Sequence, residues 1–520
     1  MRRRDFLHAG VGALALSGLG PHGRALAQAS TQASGGGFDR AQLVEQARRL
    51  AETPYEPTPT LSADALPELD YGTYQQIRYR KDQALWGDSE SPFRIEFFHP
   101  GLYFRQPVAI NVVEDGTARP VTFSKELFDY GSSGVKEQVA PDVGFAGFRI
   151  YYRLDWQRDV ASFLGASYFR AVGGAMQYGL SARGIAIDTT SLGSEEFPRF
   201  KSFWLERPRA DATALTVHAL MDGESVTGLF TFAIEPGGTT AVQVDASLFP
   251  RRELRSVGVA PLTSMYYAGE NDWLDRETFR QEAHDSDGLQ LLRGNGERIW
   301  RPLANPGSPR VSAFADTDPQ GFGLRQRDRD FDHYQDLGAH YEERPDLWVV
   351  PHGGWGKGAV ELLELPTDGE TFDNVVAYWK PDAPLPAKRE SRFRYRLLWG
   401  DPTPDGVARV TATRLGRAGR PGKRAPGLKF VLDFAGGALA MLGPDQRIDI
   451  AVSASRGEIE VIEVARIRDS DAWRAEFDLS VAGGDTVDLR CYLRQGDLAL
   501  SETWLYRLEP SDWQALLQQG

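Results

Sequence analysis

Asp368, Glu370 and Asp373 fall within six positions of one another, and Trp355 and Trp379 bracket them. They lie in the stretch His352 to Lys380, where a mostly apolar run containing Glu361 and Glu364 ends at Pro366 and a second apolar run spans Val375 to Trp379. That pattern predicts strand, acidic loop, strand. Carboxyl groups on a loop between aromatic-bearing strands suit a sugar-handling site. Inverting cleavage of a glycosidic bond needs one protonated carboxyl group for the leaving oxygen and one ionised carboxylate to activate water. The same residues would also make a solvated turn, with Pro366, Asp368 and Gly369 as its turn formers.

Three other segments are dense in charges and aromatics, and the pattern reads them as loops or strand ends. Phe197 to Pro208 interleaves Arg199, Lys201 and Arg207 with Phe200, Phe203 and Trp204, so that aromatic faces would stack on sugar rings while the cations reach hydroxyls. An ordinary sheet edge has the same interleaving. Glu282 to Gly288 (EAHDSDG) places Asp285 and Asp287 two apart, a spacing that invites a divalent cation. The further oxygen ligands of a dedicated loop are missing at their offsets, and a carboxylate base beside His284 is the alternative. Gly321 to Pro345 intersperses Arg325, Arg327 and Arg329 with Asp328, Asp330 and Asp332, as would paired charges holding a long loop over a cleft, or a surface network.

Several chemistries are disfavoured. No G-x-S-x-G, H-E-x-x-H, Walker A or dinucleotide fingerprint stands in a suitable context. The six histidines beyond residue 27 lack metal-ligand spacing, so the expectation is no metal and no cofactor. Cys491 is the only cysteine, which rules out an intramolecular disulfide and reads as a buried core thiol. A formal charge of −13 repels nucleic acid and anionic lipid but not a neutral polymer.

The elements that must position these residues read as follows. Residues 1–27 have a basic start, an apolar run from Val11 to Leu19 and a small-x-small cleavage site at Ala25-Leu26-Ala27. Arg3-Arg4-Asp5-Phe6-Leu7 matches the twin-arginine export pattern, which predicts a periplasmic protein. A Ser/Gly-rich tether (28–37) precedes a short amphipathic helix at Phe38 to Glu52, with Leu43, Ala47 and Leu50 on one face.

From about Tyr74 to Trp379, strand-like runs of five to eight residues are punctuated by Gly, Pro, Asn and Asp. Without helices to cover a parallel sheet, they predict an all-β fold with a large antiparallel sandwich over 38–380. Pro381, Pro384 and Pro386 read as a linker (381–390) to an immunoglobulin-like sandwich over 391–520, whose first strand is Ser391 to Trp399. Arg414 to Arg424 reads as a basic loop, either a solvated hairpin tip or a dock for an anionic partner.

FPRFKSFWLERP, EAHDSDGL, GFGLRQRDRDFDHYQDLGAHYEERPDLWVVP and WGKGAVELLELPTDGETFDNVVAYW occur in the order seen in the periplasmic glucan biosynthesis proteins G and D, which the chain closely resembles over nearly its whole mature length. The twin-arginine leader resembles the D branch more than the G branch. The resemblance implies a galactose mutarotase-like β-sandwich followed by an immunoglobulin-like domain. It implies an anomer-inverting glycoside hydrolase acting on β-1,2-glucan, with Asp373 as general acid, Asp285 on the general-base side, and Glu370 and Tyr341 shaping the site and assisting proton relay. Trp204, Trp348, Trp355 and Trp379 become candidate stacking platforms, with Arg207, Asp287 and Arg327 as further substrate-binding candidates. A transglycosylase of the same fold and a non-catalytic glucan-binding scaffold remain open readings. Candidate partners besides β-1,2-glucan are an inner-membrane glucan synthase and a second copy of the chain, with no nucleic acid.

Overall fold

A computed structural model describes residues 38–510 apart from 191–193, 273–277, 403–405, 421–422, 444–445 and 482–483, and no side chains at 420–426. The export signal and tether read at residues 1–37 lie outside the described residues. The chain is all-β, built on two large sheets facing each other across one continuous core. Period-2 alternation makes this arrangement, since each strand turns one apolar face inward.

The first sheet runs, in spatial order, through Phe93–Phe98, Gly147–Tyr152, Ala161–Leu164, Tyr168–Ala171, Ser181–Arg183, Val257–Ser264, Val375–Pro381, Lys357–Glu364 and Arg310–Thr317, all antiparallel. The acidic loop therefore joins two adjacent strands, the second and third from the edge formed by Arg310–Thr317, as the sequence pattern predicts. The second sheet has at its heart the long antiparallel strands Leu215–Asp222, Val226–Glu235 and Thr240–Pro250. The predicted helix forms at Arg40–Leu50, capped by the Asp39 carboxylate, and lays Leu43 and Ala47 against the outer face of this sheet.

Two expectations about organisation fail. Ser391–Gly400 does not begin the C-terminal unit; it pairs Thr240–Pro250 on one side and Asp346–Pro351 on the other. Its inward side chains Tyr395, Leu397 and Trp399 belong to the large core. The prolines at 381–386 mark a crossover between the two sheets, because proline ends a strand whether the chain then leaves the domain or merely changes sheet. The second failure is at Phe197 to Pro208, which is no loop: Arg199–Glu206 is an interior strand of the second sheet.

The C-terminal unit is a two-layer sandwich. Arg409–Arg420, Lys423–Ala435, Trp473–Ser480 and Glu458–Arg466 form one layer. Asp449–Ala454, Val487–Gln495 and Thr503–Leu508 form the other, and a short parallel pairing between Thr503–Leu508 and Arg298–Pro302 makes it continuous with the second large sheet. Phe430, Phe477 and Trp504 fill its core, where Cys491 is fully buried. Arg414 to Arg420 is strand rather than loop, and Arg414 pairs with Glu270 and Asp433.

The two units are locked by Arg327. Its guanidinium pairs with buried Glu502, donates to the Val410 carbonyl at 2.7 Å and lies 3.5 Å over the Trp300 ring. The arginines read as paired with Asp328, Asp330 and Asp332 find partners elsewhere: Arg325 and Arg329 with Asp346, Arg327 with Glu502. Charges adjacent in sequence alternate in direction along an extended segment, so their partners come from other strands.

Candidate active site

Strand register brings the site together at the end of Val257–Ser264. Ser264 is opposite Val375, and Thr263 is opposite Ser181. Just beyond, the Asp285 amide donates to the Met265 carbonyl at 2.8 Å, and the Ser264 and Ser286 hydroxyls bond at 2.9 Å. Asp373, two residues before Val375, and Asp285 thus converge on one strand end.

Asparagines pin the acidic loop. Asn374, fully buried, accepts from the Tyr266 amide at 2.8 Å and donates to the carbonyls of Tyr266 at 3.0 Å and Leu365 at 2.9 Å. Asn305 exchanges two further bonds with the Thr367 backbone. A single amide side chain replaces the ladder where the strands part, so Asp373 is held by backbone geometry rather than left on a mobile tip.

The two aspartates sit in opposite environments. Asp285 is 1% exposed and ion-paired with Arg344, itself 3% exposed. Among the described residues the Asp373 carboxylate has one ion-pair partner, the Arg170 guanidinium at 3.9 Å, and burial, reinforced by the Asp285 charge, lifts its pKa to about 6 against the opposing pull of Arg170 and Arg344. Each carboxyl group keeps one buried oxygen, Asp373 Oδ2 and Asp285 Oδ2, without a hydrogen-bond partner. A buried acceptor left open in this way is available to a ligand.

Tyr341 and Glu370 complete the cluster. The Tyr341 hydroxyl donates to Glu370 Oε2 at 2.6 Å, and the Arg344 guanidinium lies 4.1 Å over the Tyr341 ring. Arg280 pairs with both Glu370 and Asp336, the latter at 3.1 Å. Burial pushes the Tyr341 phenol well above its ordinary value, with the Glu370 charge adding to it. Buried Gln326 ties the segment in place, donating to the carbonyls of His284 and Tyr341 and the Tyr334 hydroxyl. Sequence reasoning thus named four members, Asp285, Tyr341, Glu370 and Asp373, and missed Arg170, Arg280, Arg344 and Asn374. Arg344 and Asn374 lay inside quoted motifs, in EERPD and FDNVVA; Arg170 and Arg280 carried no such signal.

The remaining candidates lie elsewhere. Trp204 packs beneath the first helix with Leu43, Ala47 and Phe249. Trp379 is fully buried in the large core, and Trp355 packs against it with ring centroids 6.3 Å apart. Trp348 covers Gly321 and Gly323, where a Cβ on either would collide with the indole. Large aromatic rings serve core packing and sugar stacking equally well, and here packing uses them. Arg207 pairs with Glu114 at 3.2 Å on the surface.

Asp287 turns away from Asp285: its Oδ2 accepts the Arg327 and Asp328 amides, each at 2.9 Å. It lines a cavity of about 20 Å³ at the seam between the two units, together with Arg327, His284 and Glu282. His284 is no neighbour of the Asp285 carboxylate; it bonds Glu282 and Gln326, each at 2.8 Å. Burial lowers its pKa, but Glu282 and Asp287 outweigh this and carry it to about 9.

Glu282, Asp328 and His333 place ligand atoms within 4.8 Å of one another, the geometry a metal ion would need. Asp328 already bonds His333 at 2.5 Å and Glu282 already bonds His284, so both carboxylates are satisfied by imidazoles.

Residues 38–508 match the family described as "Periplasmic glucan biosynthesis protein, MdoG". The chain is 48% identical over 482 residues to the "Probable glucans biosynthesis protein D" of Shewanella oneidensis, covering 91% of this chain and 89% of the relative. It is 47% identical to "Glucans biosynthesis protein D 1" of Ralstonia nicotianae, over 98% of this chain and 99% of the relative. A galactose mutarotase related enzyme from Lactobacillus acidophilus aligns with a TM-score of 0.21 and 8% identity, over 47% of this chain and 98% of that one, too distant a match to inform the fold.

Proposed function

Because this chain belongs to the MdoG family of periplasmic glucan biosynthesis proteins, we propose that it is an exported, anomer-inverting endo-β-1,2-glucanase that trims the glucan backbone. The observation that carries this reading is the pair of buried aspartates with divergent surroundings. Asp373, held near pKa 6, keeps a proton to give up to about that pH, while Asp285 lies in a buried ion pair with Arg344.

In the step proposed, the Asp373 carboxyl proton passes to the glycosidic oxygen as the C1–O bond breaks. A water attacks C1 from the opposite face and its proton goes to the Asp285 side. The Tyr341–Glu370 hydrogen bond shapes the water side and offers a relay. The twin-arginine pattern in residues 1–27 and the family's periplasmic description support a periplasmic location for this chemistry.

One observation favours a transglycosylase as the second reading. Asp285 is almost wholly shielded from solvent, so a sugar hydroxyl could replace water as acceptor. Incubating the mature protein and Asp373→Asn with linear β-1,2-glucan, and following product mass and optical rotation, tests both. New reducing ends with inverted configuration, absent in the variant, support hydrolysis. Rearranged glucan without added water supports transfer. Binding without turnover in the wild type leaves a scaffold and sinks both.

A further inference from the structure

Solvent exposure rises across the carboxylate cluster, from 1% at Asp285 through 9% for the Asp373 side chain to 20% for that of Glu370. The site therefore opens to solvent on the Glu370 side. Arg280, which holds Glu370 there, is preceded by Phe279, 74% exposed; Asp336, which pairs with Arg280, is followed by Leu337, 71% exposed. Few large hydrophobic side chains among the described residues are so open, and these two flank the two partners of one ion pair.

The turn that carries Leu337 is held in place. Asp336 accepts the amides of Gly338 and Ala339 at 2.8 and 2.9 Å, which anchors the turn carrying Leu337 toward Tyr341 and Arg344. Single exposed apolar side chains are ordinary on a protein surface, but two that flank one ion pair at the mouth of a carboxylate cluster offer apolar area that a ligand can cover. An aromatic and an aliphatic side chain beside charged groups match a pyranose ring, whose C–H face is apolar and whose rim is hydroxylated.

We propose that Phe279 and Leu337 form an apolar subsite at the mouth of the carboxylate cluster, on which a glucose ring of the β-1,2-glucan chain stacks as the chain enters. Arg280 and Asp336 then position this subsite relative to Glu370. The proposal rests on the glucan-directed reading above.

The test is binding of linear β-1,2-glucan, by calorimetry, to Asp373→Asn alone and combined with Phe279→Ala, Leu337→Ala or Phe279→Trp, together with steady-state kinetics of the same changes in the active protein. The expected result is a Kd weakened about tenfold by either alanine, retained by tryptophan, with the loss appearing in KM. Unaltered Kd and KM in both alanine variants, alongside binding by the parent, would overturn the subsite alone. No binding of β-1,2-glucan by Asp373→Asn or by the wild type would overturn the subsite and the glucan reading together. Thermal unfolding of each variant separates lost binding from lost folding: a melting temperature that stays at the parent's assigns the weakened Kd to the subsite. If both alanine variants unfold at the assay temperature, Phe279→Ser and Leu337→Ser at these exposed positions replace them.

Discussion

The Arg344 guanidinium is ion-paired with the Asp285 carboxylate inside the protein, both side chains being almost completely buried. A buried pair gains little over an apolar pair, but losing one partner strands the other charge. Arg344 also lies over the Tyr341 ring, so it links Asp285 to the Tyr341–Glu370 bond.

Arg344→Gln therefore destabilises the protein by about 3–5 kcal/mol in urea unfolding. Arg344→Gln with Asp285→Asn recovers most of that loss, because no uncompensated charge remains. Equal destabilisation by the single and double variants would contradict the pairing as the source.

The rate should depend on pH through Asp373. A general acid must be protonated, and burial holds this carboxyl near pKa 6. We expect kcat/KM on β-1,2-glucan to fall about tenfold per pH unit above that value. A profile flat from pH 5 to 8 would remove Asp373 from the acid role. Asp373→Asn should lose about 10³-fold in kcat while still binding glucan.

The same shift has a sign in stability. With a folded pKa near 6 and an ordinary value of 3.8, the folded protein holds the proton more tightly. Asp373 thus contributes stability that is fully present below pH 3.8 and lost as pH rises through 6. Asparagine mimics the protonated form at every pH. Asp373→Asn should match the wild type near pH 4 and exceed it by about 3 kcal/mol at pH 7.5. Urea titrations at the two pH values decide this, and a difference independent of pH refutes it.

Trp204 separates packing from sugar stacking. It sits in the small cluster under the first helix, remote from the carboxylates. Trp204→Ala should cost about 3–5 kcal/mol of stability and leave glucan affinity at the wild-type value. Weakened binding with unchanged stability would restore the stacking role.

The strand-rich class and the acidic loop between two neighbouring strands are legible in the chain alone, because period-2 alternation and turn residues are local signals. Asp285 and Asp373 stood out in their motifs, and the fold brings them to one strand end although 88 positions separate them. That Ser391–Gly400 belongs to the large sandwich is visible in the fold alone, since an alternating strand carries no mark of the sheet that accepts it. Only the fold assigned the tryptophans to packing and drew Arg170, Arg280 and Arg344 around the carboxylates. An arginine's role depends on which charge the register of other strands sets beside it, and that pairing is non-local.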